Sequence, residues 1–171
     1  MKVYAEAQGR HLDESVIASA MTWSDPSRDI GTARQQAIRL IGKSGLCCVW
    51  SGRPLSIDTL DIDHCLPWVA WPCDDLWNLL PTHRAVNQHQ KRDRLPSASL
   101  LNTSGERIKS WWKTGYVEAD NPLLGERFIS EAKASLPALG SSDIGLDDLF
   151  VAVGFQALRL KNDQQVPVWD G

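Results

Sequence analysis

The chain of 171 residues has no C-x-x-C pair. Its four cysteines, Cys47, Cys48, Cys65 and Cys73, lack the paired, close spacing that structural zinc sites use. A conventional zinc finger or ribbon is therefore not what organises this fold, and structural zinc is not expected. Long apolar runs are missing too. The longest, Leu149 to Phe155, is interrupted by Gly154 and is far too short to span a bilayer. Residues Met1 to Arg10 lack the basic start and apolar stretch of a secretion signal. The expectation is a cytoplasmic chain with reduced thiols and no membrane contact. Nor is there an excess of positive charge: Lys and Arg number 18 against 21 Asp and Glu, for a net charge of −3. That argues against a general nucleic-acid coat protein but leaves room for a local basic patch. Internal repeats, low-complexity tracts and a recognisable sequence-reading helix-turn-helix or zinc finger are also missing.

What is present is an ordinary globular composition, 43% apolar and 23% charged. The length suits one domain with a real core, or a small module with a helical extension. Tryptophan is abundant at eight residues, and Trp68, Trp71 and Trp77 fall in one short window. We read them as large side chains filling a small core.

Local signals divide the chain into three parts: a helical segment over 1–45, a module over 46–97 and a helical extension over 98–171. In the first, Asp13 reads as the cap of a short helix through Met21, Asp25-Pro26 as a break, and 29–43 as an amphipathic helix with Ile30, Ala33, Ala37, Ile38 and Ile41 on one face. Within the module, 46–50 is β-prone and 51–54 is a turn. Leu60 and Ile62 alternate with Asp61 and Asp63 as in a strand. Residues 66–80 read as a long loop, and Thr82 as the cap of a helix from about 83 to 92. Further on, 105–116 is amphipathic, Asn121-Pro122 opens a helix to about 134, 136–145 is a linker, and 146–161 is a last helix.

The chemistry is concentrated in Asp61-Ile62-Asp63-His64-Cys65-Leu66-Pro67, followed by Trp77-Asn78-Leu79-Leu80-Pro81 and then Asn87 and Lys91. Phosphodiester hydrolysis needs a base near neutrality to take a proton from water, and histidine suits that task. It also needs a hard cation to neutralise charge on phosphate. Magnesium prefers oxygen ligands, of which Asp63 supplies a carboxylate and Asn87 an amide oxygen. Adjacent strand residues point to opposite faces, so Asp63 and His64 serve one phosphate only if the strand bends there.

Residues from about Cys48 to Ser97 resemble the HNH nucleases, in the variant with asparagine at the third motif position, similar to the HNH domain of RNA-guided CRISPR nucleases. The resemblance rests on the Asp63-His64 pair, the Asn78-Leu79-Leu80-Pro81 segment and Asn87 followed by Lys91. It implies an α+β fold: a ββα-metal module, with two short strands, a loop and a helix around one cation, here flanked by α-helices. It further implies His64 as general base, Asp63 and Asn87 as ligands of Mg²⁺ or Mn²⁺, and Asn78 as the residue that holds the loop so that His64 stays aimed. The implied activity is endonucleolytic cleavage of DNA to a 5′-phosphate and a 3′-hydroxyl. Arg84, Lys91, Arg92 and Arg94 form a local basic cluster suited to phosphate contact; His83 is read as a relic of a zinc position, His89 as surface, and Asp74 and Asp75 as loop caps. Many relatives carry two C-x-x-C pairs. Here Ser51 stands three residues after Cys48, so Trp50 and Val86 are expected to pack in place of zinc. Two other readings remain: an inactive nucleic-acid-binding module of the same fold, and a zinc-stabilised interaction domain. The module serves phage defence, restriction, homing and repair alike, so membership of a larger defence or mobile-element system is left open.

Overall fold

A computed structural model describes residues 29–140 and 144–171. The expected helix capped by Asp13 and the break at Asp25-Pro26 lie outside the described residues. Among the described residues four α-helices follow one another: α1 (Gly31–Lys43), α2 (Ala98–Trp112), α3 (Pro122–Ser135) and α4 (Leu146–Gln164). Between α1 and α2 lie the strands β1 (Leu60–His64) and β2 (Leu79–His83), then a π-helix, Val86–Lys91, and the short strand β3 (Leu95–Pro96). The architecture is α+β, a small module flanked by helices. No helix among the described residues is long and apolar enough to cross a membrane.

The helices begin where local chemistry says they should. The Asn121 side chain accepts from Leu123 N at 3.2 Å and Pro122 takes the first turn of α3, satisfying an otherwise orphaned donor. Ser97 accepts from Leu100 N at 3.2 Å, which starts α2 at Ala98, earlier than the amphipathic pattern places it. After Trp112 the helix widens into a π-segment, Lys113–Val117.

β1 and β2 pair antiparallel, with Leu60 opposite His83, Ile62 opposite Pro81 and His64 opposite Leu79. This corrects two expectations. Residues 46–50 form no strand; Cys47 makes only an isolated bridge to Pro54. The second strand comes instead from 79–83, read as loop end, helix cap and helix start, although Pro81 cannot donate to a ladder. The hairpin tolerates it: this is an edge position, and the Pro81 carbonyl accepts from Val49 N at 3.1 Å. Thr82 therefore caps no helix. It lies in β2, buried, with Oγ1 3.3 Å from Cys48 Sγ.

The tryptophans seat the hairpin on the helices. Trp111 Nε1 donates to Leu79 O at 2.9 Å and Trp112 Nε1 to Trp77 O at 3.0 Å. Trp77 Nε1 donates to Ser135 Oγ on α3 at 2.9 Å. All three rings are buried, so each contributes large apolar area and leaves no orphaned donor. The chain end returns to the module: Val168–Trp169, here β4, pairs parallel with β3, and the Trp169 ring meets Trp50 edge-on at 6.0 Å. One core runs from Ala33 on α1 through the hairpin to Trp169.

Trp112→Ala should lower unfolding free energy by about 3–5 kcal/mol, through lost burial and the cavity left behind. Urea denaturation measures this, and a loss below about 1 kcal/mol would contradict the central place given to this ring.

Candidate active site

His64 ends β1, and the chain then turns into the 65–78 connection before returning as β2. Asn78 closes that connection. Its Oδ1 accepts from Leu66 N at 2.8 Å, and its Nδ2 donates to Cys73 O at 2.9 Å and Leu66 O at 3.3 Å. Its backbone carbonyl accepts from Cys65 N at 2.8 Å. A fully buried amide with every hydrogen-bonding group used makes a stiff clamp. It pins both ends of the loop that leaves His64.

The His64 ring is held from two sides. Nε2 lies 2.7 Å from Asp74 Oδ1, and the ring meets Trp68 edge-on at 5.3 Å. Only 9% of its side chain is exposed. Asp74 is not a loop cap. Besides His64, it accepts at Oδ2 from Asp29 N, just ahead of α1, at 2.5 Å. A single aspartate in a polar loop carries no sequence signal for such a partner, so only the fold reveals it.

Asp63 leaves the other face of β1, and among the described residues no side chain bonds both it and the His64 ring. The bend expected between the two residues falls after His64, because β1 pairs through His64 to Leu79. The Asp63 carboxylate is buried, with Oδ2 accepting from Trp50 Nε1 at 2.8 Å and Oδ1 from Lys91 Nζ at 3.1 Å. Lys91 Nζ also donates to His64 O at 2.7 Å. Burial pushes the Asp63 carboxyl above its ordinary range, against the pull of the Lys91 ammonium and the Trp50 indole.

Lys91 is therefore not available for phosphate contact. It is fully buried, and the winding of its helix explains why. The Arg92 N to Asn87 O bond, 2.9 Å, spans five residues as in a π-turn. That wider winding turns Lys91 inward beneath β1, where Asp63 takes its charge. Asn87, on the same segment, donates through Nδ2 to Asp61 Oδ2 at 3.1 Å and to Ile62 O at 3.4 Å. His83 ends β2 and does not share a helix with Asn87; its Nδ1 accepts from Ala85 N at 3.4 Å.

Of the expected cation ligands, Asp63 thus does not fit a resident ion as arranged, since both its oxygens serve nitrogen donors, one of them an ammonium. Asn87 uses its Nδ2 on Asp61 and Ile62, and neither bond involves its amide oxygen. Among the described residues no three His, Cys, Asp or Glu side chains converge as a metal cage. Among the thiols, burial raises those of Cys65 and Cys73 to about 12. Burial also opposes ionisation of Cys48, but hydrogen bonds from Ser51 and Thr82 outweigh it and bring that thiol below its ordinary value. Trp50 and Val86 are buried in the position where zinc ligands were missing.

On the surface, Arg84 and Arg92 are exposed. Arg92 stands at φ 53°, a left-handed backbone that ends the π-helix. Arg94 is half-buried and turned to the carbonyls of Gln90 and Lys91. An open groove of about 770 Å³ is lined by His89, Arg92, Asp93 and Arg94, by Val69 and Ala70 of the loop, and by residues 164–167.

Residues 48–97, under a third of the chain, match the family model described as HNH endonuclease. Neither a curated protein nor a solved structure matches the chain.

Lys91→Met should cost about 3–5 kcal/mol by leaving a buried carboxylate unpaired. If Asp63 lies within reach of a cation, Mn²⁺ should raise the melting temperature of this variant more than that of the parent, because the competing ammonium is gone. Equal metal-induced shifts in the two proteins, followed by calorimetry, would remove Asp63 from the ligand set.

Proposed function

From the premise that residues 48–97 are an HNH endonuclease module, we propose that this protein hydrolyses phosphodiester bonds in DNA, with His64 as the general base. The observation that carries the reading is the held imidazole. His64 sits at the end of β1, beside a loop clamped by Asn78, with Nε2 bound to Asp74. A base fixed in place loses no orientational entropy when it meets its water. His64 takes a proton from water, the resulting hydroxide attacks phosphorus, and the bond to the 3′ oxygen breaks, the departing 3′ alkoxide taking a proton from solvent water. The products are a 5′-phosphate and a 3′-hydroxyl. Asn78 acts through the loop and not on the substrate. Exposed Arg92 and half-buried Arg94 contact backbone phosphates along the groove beside the π-helix, and exposed Arg84 contacts phosphate ahead of that helix.

HNH nucleases generally use a divalent metal, which neutralises charge on the phosphate. The candidates here are Asp63 and Asn87 with Mg²⁺ or Mn²⁺. As they stand, Asp63 serves Lys91 and Trp50, and no step above is routed through an ion. The same Asp63–Lys91 pair favours a second reading, an inactive nucleic-acid-binding module in which the ammonium has replaced the cation. Incubation of the full chain with plasmid, single-stranded DNA and RNA, each with Mg²⁺ or Mn²⁺, separates the two.

His64→Ala should lower the cleavage rate by roughly 10²–10⁴-fold, the range that general-base catalysis contributes. Activity within about tenfold of the parent would remove His64 from that role. Arg84→Ala and Arg92→Ala should each weaken binding to any DNA sequence and flatten the log–log salt dependence by about one unit. Binding to a short duplex across a salt series, without added metal, reads this; an unchanged slope in the double variant sinks the phosphate-contact role.

A further inference from the structure

The contact between His64 and Asp74 decides which nitrogen of the imidazole can work. A carboxylate only accepts hydrogen bonds, so the 2.7 Å contact of Nε2 with Asp74 Oδ1 places the ring hydrogen on Nε2. In the neutral ring the lone pair is then on Nδ1. Among the described residues Nδ1 has no hydrogen-bond partner, while no buried side-chain nitrogen or oxygen there lacks one. Nδ1 is therefore reached by solvent, although most of the ring is covered.

Asp74 is itself held in place. Its second oxygen accepts from Asp29 N at 2.5 Å, so each oxygen has its own donor. The residues on either side are fixed as well. Cys73 O accepts from Asn78 Nδ2 at 2.9 Å, and Asp75 O from Asn78 N at 2.8 Å. Asp75 Oδ2 accepts from Trp77 Nε1 at 3.1 Å. The edge of Trp68 bounds the ring on another side. The segment ahead of α1, the Asn78 clamp and the aromatic wall thus act together on one imidazole.

We propose that Asp74 is the positioning residue of His64, holding the imidazole in the tautomer with hydrogen on Nε2 and a bare Nδ1 open to water. Its catalytic consequence rests on the reading of His64 as the base. Nδ1 is then the atom that forms the new N–H bond when the water O–H bond breaks. Asp74 touches neither water nor phosphate in this scheme. Replacing it with asparagine offers Nε2 an amide that can donate, which frees the ring to take the opposite tautomer or to swing away. A carboxylate on a longer arm restores the acceptor with poorer geometry.

Nitrogen-15 NMR of the histidine-labelled full chain reads the tautomer without reference to activity. The sample is kept about two units above the ordinary imidazole pKa, and the His64 signal is assigned by its loss in His64→Ala. The expected result is an Nε2–H ring with an unprotonated Nδ1 in the parent, and a mixed or inverted pattern in Asp74→Asn. An Nδ1–H ring in the parent, or an unchanged pattern in Asp74→Asn, overturns the proposal whether or not the chain cuts DNA. The parent spectrum suffices even if the variant folds poorly. Kinetically, Asp74→Asn should lower kcat on the order of 10²-fold with KM nearly unchanged, and Asp74→Glu should recover part of the loss. A variant Asp74→Asn with parental kcat, beside an inactive His64→Ala, overturns the positioning role and leaves His64 as base. A fully active His64→Ala overturns the base instead, and the parent tautomer then decides the positioning role alone.

Discussion

A buried carboxylate needs a partner, and Asp63 has found two. Taking an aspartate out of water is expensive, and the cost is offset only where geometry and hydrogen bonds are good. Here the Lys91 ammonium and the Trp50 indole hydrogen meet separate oxygens of one carboxylate. That arrangement joins three segments distant in sequence: the turn around Trp50, the end of β1 and the π-helix. Trp50 also carries the edge contact with Trp169, so the end of the chain depends on the same point. The carbonyls of Val49 and Trp50 are held by Arg107 from α2. The ion pair is therefore a junction, and removing either partner leaves an uncompensated charge in the core.

The same pair shapes what the module can do. A carboxylate engaged by an ammonium is a poor ligand for a divalent cation until the ammonium withdraws. The π-winding of Val86–Lys91 brings this about, since it sets Lys91 under β1 and directs Asn87 to Asp61. The His64 ring, on the opposite face of the strand, lies apart from that junction, although the His64 carbonyl accepts from Lys91 Nζ. Its surroundings are built from the 65–78 connection, clamped by Asn78 and bounded by Trp68. One strand thus separates a closed ionic junction from a histidine whose free nitrogen meets solvent.

Electrostatics at the surface follow local arrangement and not net charge. A chain at −3 presents Arg84 and Arg92 to solvent on either side of the π-helix. At physiological salt the field of a surface charge is screened within about 8 Å. A backbone phosphate beside Arg92 therefore responds to its near neighbours and little to distant acidic residues.

The sequence by itself determined the features that depend on near neighbours. Asn121-Pro122 starts α3 because a side-chain acceptor and a preset φ act within one turn, and the 29–43 pattern produces α1 because Ala33 and Ala37 repeat at helical period, with Leu40 and not Ile38 completing the buried face. The order of Asp63, His64, Asn78 and Asn87 was enough to indicate an HNH module. Tertiary structure alone decided which segment became the second strand, since the acceptor role of Pro81 appears only when Val49 lies beside it. It also decided that Lys91, one of a run of cations, is the one turned inward. A lysine reads as exposed until a buried carboxylate lies within reach. The meeting of Asp74 with His64 was equally out of view, because a polar loop residue carries no mark of its partner. Capping and periodicity act over a few residues and are legible locally. Desolvation and ion pairing depend on which surfaces the fold brings together.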